Sequence, residues 1–223
     1  MRWAVGNLPP GTRVGVDPAV ARDLAANTAL VPDVLGARGA QPGGARYLIA
    51  TQKLREDARR VDAVSSALRS SLPVAVFAEG GTRVEVRQLA PHGTVALARS
   101  WRHDLDARRQ AGTGLLRNPR VHVAAPAKAV LRRGGLDLRA CVVVAALAEI
   151  ADVRVVDIVI DAAARAGRPA RRLTIWMRRV DAALNQVLAT LPPQIRPARV
   201  IAPAGRTRQL QWALEAEPVP TLK

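Results

Sequence analysis

Three aspartates stand where chemistry could be built. Asp17 closes the run "TRVGVD", residues 12–17, which reads as a short first strand. Ligands of open α/β sheets gather at the C-terminal ends of strands, so Asp17 is a candidate strand-end residue. It also directly precedes Pro18, and Asp followed by Pro suits the cap and first residue of a helix. Asp157 and Asp161 lie in "DIVID". A strand would set both carboxylates on one face with Val159, and Ile158 and Ile160 on the other. Paired carboxylates can move protons or hold a cation; a half-exposed strand explains the same alternation. His92, His103 and His122 fall in loop, helix and strand contexts, and no local pattern gathers them with acids as metal ligands. His103 and Asp104 are neighbours, but adjacent helical residues point different ways.

The richest constellation is basic. "RPARRLTIWMRR", residues 168–179, sets Arg168, Arg171, Arg172, Arg178 and Arg179 around Trp176. Guanidinium groups pair with phosphate or carboxylate, and an indole stacks on a base or a sugar. Trp212 is a second indole of the kind a carbohydrate module uses. No helix-turn-helix, zinc finger or RNA-binding signature accompanies these residues. "GARGAQPGGAR", residues 36–46, is rich in glycine but has neither the P-loop ending nor GxGxxG spacing. Cys141, the sole cysteine, allows no internal disulfide and sits in an apolar run, which suits a buried thiol. No catalytic residue, cofactor or metal is therefore assigned from sequence.

These residues need elements to hold them. The chain of 223 residues is 49% hydrophobic but only 3% aromatic, so its core must be Ala, Val, Leu and Ile. Helices are expected over 18–27, 54–70, 99–110, 137–150 and 179–191, with a shorter one in "PAKAVLRRG". The inner stripe of 54–70 is Leu54, Ala58, Val61, Val64 and Leu68. Strands are expected over 12–17, 46–51, 120–125, 153–160 and 171–177, with a hairpin at 73–79 and 82–89 and two final strands in "PARVIAPAG" and "RQLQWALEAE". Gly112 and Gly114 break the charged middle segment. The order is α/β: two small domains joined by a helix, with mixed sheets, the second fitting α/β or α+β. The boundaries are 1–98 for a sandwich-like α/β domain, 99–116 for connecting helix and linker, 117–217 for the second domain and 218–223 for a loose tail.

Charge is lopsided. The chain carries 34 basic and 18 acidic residues, a net +16, with 12 basic against 8 acidic over 1–98 and 22 against 10 over 99–223. Such an excess favours acidic partners: nucleic acid, anionic lipid headgroups or an acidic polymer. The most apolar stretch does not span a bilayer. Its longest uncharged run, "ACVVVAALA" at 140–148, falls well short of the about 20 residues a spanning helix needs. "MRWAVGNLPPGTRVGV" holds no apolar signal region.

The phrases "LPPGTRVGVDPAVARDL", "RYLIATQKLRE", "LPVAVFAEGGTRVEVRQL" and "WRHDLDARRQAGTGLLRNPRVHVAAPAKAVLRRGGLDLRACVVVAALA" together resemble the C-terminal soluble region of actinobacterial polytopic membrane glycosyltransferase-like proteins. The resemblance covers residues 3–148 and is carried by scaffold phrases, not catalytic ones. It implies an extracytoplasmic, membrane-associated setting, a membrane-embedded partner protein that holds the reaction, and a non-catalytic accessory or binding role for this chain. "DAAARAGRPARRLTIW" is more basic than that pattern. A soluble nucleic-acid-binding protein, or an enzyme with a site at the strand ends, are the alternatives from the residues alone.

Overall fold

A computed structural model of the chain describes residues 2–27, 30–35, 44–79 and 81–214. The loop expected to carry "GARGAQPGGAR", apart from its last residues, and the tail at 218–223 lie outside the described residues. The chain is α/β, with two mixed five-stranded sheets, one in each of two compact units.

The first unit runs α1 (Arg2–Asn7), β1 (Arg13–Val16), α2 (Pro18–Asn27), β2 (Val31–Val34), β3 (Tyr47–Ala50), α3 (Gln52–Asp57), α4 (Asp62–Arg69), β4 (Ser71–Glu79) and β5 (Thr82–Leu89). Its sheet has the order β2-β1-β3-β5-β4. β1 lies parallel to β2 and β3, and β5 antiparallel to β3 and β4. Parallel pairing demands crossover connections, which the helices supply. The helix expected over 54–70 is two helices, because Val61 is extended (φ −127°, ψ 106°) before α4 starts. The stripe survives the break: Leu54 and Val64 join Leu35, Leu48 and Ala67 in one apolar cluster, with Ala58, Val61 and Leu68 packed against it. The four residues of β2, "VPDV", carry a proline and no clear alternation, and neither β2 nor α1 was legible as an element.

α5 (Thr94–Arg117) is one helix of 24 residues, longer than the 99–110 expected. It is not a free linker over 99–116, since residues from Arg102 to Ala213 form the second unit. Gly112 and Gly114 do not break it. A Cβ at Gly112 would sit 2.4 Å from the backbone oxygen of Leu131, so this glycine serves close helix packing instead.

The second unit continues with β6 (Val121–Val123), α6 (Ala125–Arg132), α7 (Leu138–Ile150), β7 (Val153–Ile158), α8 (Ala162–Arg165), β8 (Arg172–Trp176), α9 (Val180–Thr190), β9 (Arg199–Ala204) and β10 (Thr207–Gln211). Its sheet has the order β6-β7-β8-β10-β9; only β6 and β7 are parallel. Val155, Ile158, Leu173, Ile175 and Leu210 are buried on one face with Val143, Val144 and Leu147 of α7 and Leu184 and Val187 of α9. The three valines at 142–144 stay helical because two of them are fully buried, and packing outweighs their weak helix preference. Among the described residues, no helix is long and apolar enough to cross a membrane.

Candidate functional site

The aspartates separate at once. Asp17 is 2% exposed. Its Oδ1 accepts from the backbone N–H groups of Ala19 and Val20, both at 3.0 Å, which caps α2. Its Oδ2 accepts from the Thr51 hydroxyl at 2.6 Å. Thr51 in turn caps α3, its Oγ1 accepting from the N–H of Leu54 at 3.1 Å. The carboxylate thus ties two helix starts together across the ends of β1 and β3.

The strand read over 153–160 ends at Ile158, so Asp157 and Asp161 do not share a strand face. Asp157 is exposed on β7. Asp161 is buried, caps α8 by accepting from the N–H of Ala164 at 3.0 Å, and lies 3.4 Å from the guanidinium of Arg171. A bulge at Val156 shifts the register of β7 against β8 just before Asp157.

The arginine cluster does not form one patch. Arg171, at 2% exposure, is interior and serves Asp161 and, at 3.5 Å, the carbonyl of Trp212. Arg168 is half-buried; Arg178 and Arg179 are exposed beyond the end of β8. Trp212 is fully buried and its Nε1 donates to the Ile195 carbonyl at 2.8 Å, so it offers no stacking surface.

What the strands do assemble is a sheet face that, among the described residues, no helix covers. On β8 the side chains of Arg172, Thr174 and Trp176 point away from the helices, and the register carries this face across the sheet. Trp176 stands opposite Arg154 of β7 and Thr207 of β10; His122 of β6 stands opposite Arg154. The next rows are Asp157, Thr174 and Gln209, then Arg172, Gln211 and Arg199. None of these residues is buried. Trp176, 39% exposed, lies with His122, Val123, Ala124, Asp152 and Arg154 around a shallow depression of about 290 Å³. His122, Arg154 and Arg199 were not singled out in sequence. Only the strand register brings His122 and Arg154 into the row of Trp176, and Arg199 into the row of Arg172, and register is invisible to local spacing.

The partners of the arginines sharpen this picture. Interior arginines meet acids: Arg139 holds Asp137 through Nε at 2.9 Å and Nη2 at 2.8 Å, and Arg171 meets Asp161; the half-buried Arg208 meets the exposed Asp181 of α9. Among the described residues, none of Arg154, Arg172, Arg178, Arg179 and Arg199 has an acid within 4 Å. Burial works to raise the carboxyl of Asp137, but Arg139, through hydrogen bonds and charge, holds it below the ordinary range.

The described residues include no cluster of three or more potential metal ligands. His92 and His103 are exposed in a turn and on α5. Cys141 is buried in α7, and burial pushes its thiol up to about 12, so it is protonated and poorly nucleophilic at neutral pH. Compared with protein-family models, with curated proteins and with solved structures, the chain matches none.

Proposed function

We propose that this chain is a binding module, without chemistry of its own, that presents the open face of its second sheet to an anionic lipid surface or an acidic envelope polymer. The observation that carries the reading is the row His122–Arg154–Trp176–Thr207, none of it buried, on a sheet face that no helix covers among the described residues. An indole beside guanidinium groups that no acid engages can stack while the arginines meet phosphate or carboxylate. Tryptophan and arginine also suit the headgroup level of a membrane. The likeness of residues 3–148 to the soluble region of membrane glycosyltransferase-like proteins supports an accessory role beside a membrane-embedded partner.

The test is sedimentation of the full chain with phosphatidylglycerol vesicles, with neutral vesicles and with acidic glycan, at two salt concentrations. Retention by anionic vesicles or by the glycan, reduced about tenfold or more by Arg154→Gln with Trp176→Ala, is the expected result. Preference for DNA or RNA with a steep salt dependence would replace this reading with nucleic-acid binding. Retention that the double variant leaves unchanged would remove the open face from the account.

A further inference from the structure

A buried arginine stands where the pattern of α5 calls for an apolar residue. The buried positions of this helix are Arg108, Gly112 and Leu115, at helical spacings of four and three. Arg108 is 3% exposed. A leucine there would bury apolar surface without penalty, whereas a desolvated cation is costly unless something answers it. Burial lowers the pKa of Arg108, with the charges of Asp104 and then Asp137 opposing the effect, yet a guanidinium keeps its proton in a protein. Asp104 answers only in part. Its carboxylate and its carbonyl both meet Arg108 at Nε, each at 3.2 Å. The Nη edge of the fork is therefore not the edge that Asp104 occupies.

A cavity of about 190 Å³ opens at this point, lined by Arg108, Arg133 and Arg168 together with Leu105, Ile160 and the Gly134–Gly135 backbone. Its wall is fixed by close packing. Gly134 ends α6 with φ +71°, and a Cβ there would lie 3.0 Å from the Leu105 oxygen. The corner of α5 and α6 thus needs a glycine, and it brings Arg133 to the cavity that Arg108 lines.

We propose that this cavity is a binding site for a compact phosphate group, gripped by Arg108 and Arg133, with Arg168 on its wall. The planar forks match phosphate oxygens in a bidentate way that a lysine could not. Size narrows the ligand. Cavities that enclose drug-sized molecules run from about 300 Å³ upwards, while one of about 150 Å³ takes a benzene. A volume of about 190 Å³ holds inorganic phosphate or the phosphate end of a small ester. The site uses none of the residues of the open sheet face, so either reading stands without the other.

Isothermal titration of the full chain at fixed ionic strength decides it. The probes are inorganic phosphate, glycerol phosphate and, as control, chloride. Saturable one-to-one binding of a phosphate probe, and none of chloride, is expected. Arg133→Gln, an exposed position, should weaken it about tenfold or more. Arg108→Gln should do the same; if it unfolds the chain by circular dichroism, Arg133→Gln alone decides. Arg154→Gln with Trp176→Ala should leave binding unchanged. Tighter binding of glycerol phosphate than of inorganic phosphate assigns the site to an esterified headgroup, and equal binding to free phosphate. Absence of saturable heat with both phosphate probes, or wild-type binding by Arg133→Gln, would overturn the site.

Discussion

The two sheets of this chain have the same number of strands and mixed pairing, yet they treat their second faces differently. In the first unit, every residue of β3 is buried, and so are Val14, Gly15 and Val16 of β1. Strands flanked by helices on both sides read as continuous apolar runs, "YLIA" and "VGV". In the second unit, burial alternates along β8, with Leu173 and Ile175 inside and Arg172, Thr174 and Trp176 outside. The inner strands β1 and β3 of one sheet are interior; β8 of the other is half interior and half surface. The arginines follow the same division. In the first unit Glu85 gathers Arg55, Arg83 and Arg87. On the open face of the second, Arg154, Arg172 and Arg199 have no acid within 4 Å among the described residues, although Asp157 lies on the same face.

The sharpest way to break this contrast uses two tryptophans on opposite faces of one sheet. Trp212 lies on the covered face at 0% exposure, and Trp176 on the open face at 39%. Trp212→Ala removes a buried indole and its bond to Ile195, and should cost about 3–5 kcal/mol in urea unfolding. Trp176→Ala should change stability by no more than about 0.5 kcal/mol. If both variants lose several kcal/mol, the second face is not a free surface and the platform reading fails.

A second pair lies on one helix. A Cβ at Gly112 would strike the Leu131 backbone, while Gly114 is exposed with nothing within 4 Å of an added Cβ. Gly112→Ala should destabilise by about 1–3 kcal/mol through overpacking. Gly114→Ala should stabilise by up to about 1 kcal/mol, the helix preference of alanine over glycine. Opposite signs two residues apart would show that α5 belongs to the packing of the second unit. Equal gains from both would mean that α5 is only a connector there.

Those glycines also show where the sequence stopped speaking. Their presence read as a helix break, because a glycine's conformational cost is local while the carbonyl it admits is 19 residues away. Elements with strong periodicity were legible: α2 and α7 fall where expected, and β4 and β5 pair as the expected hairpin, with Glu79 opposite Thr82. Asp17 as a cap was legible from the Asp–Pro pair. The candidate face was half legible. Trp176 and Arg172 were visible in their own strand, but Arg171 pointed inward by simple alternation, and His122, Arg154 and Arg199 needed pairing registers that no local pattern encodes. Asp161 was misplaced with Asp157 because the strand ends at Ile158, between the two. Arg108 was read as one charge among many on a polar helix, although it sits four residues before Gly112 on the buried stripe.

The smallest contrast separates the units by acid. Burial works to raise the carboxyl of Glu85, but bonds from Arg87 and Arg83 and the charge of Arg55 hold it below its ordinary 4.5. Asp137 in the second unit is held below its ordinary 3.8 by Arg139. A carboxyl whose native pKa is depressed binds protons more readily in the unfolded chain. The stability it contributes is whole above the ordinary value and fades as pH falls through the native one. Both units should therefore loosen as pH falls below about 4.5, where the unfolded carboxylates begin to protonate. Hydrogen exchange read on peptides of β5 and of α7 follows each unit by itself. Glu85→Gln should flatten the acid response of β5 and leave that of α7 alone; Asp137→Asn should do the reverse. An acid response in β5 that Glu85→Gln leaves as steep as before would mean that its three arginines are surface charges like those of the open face.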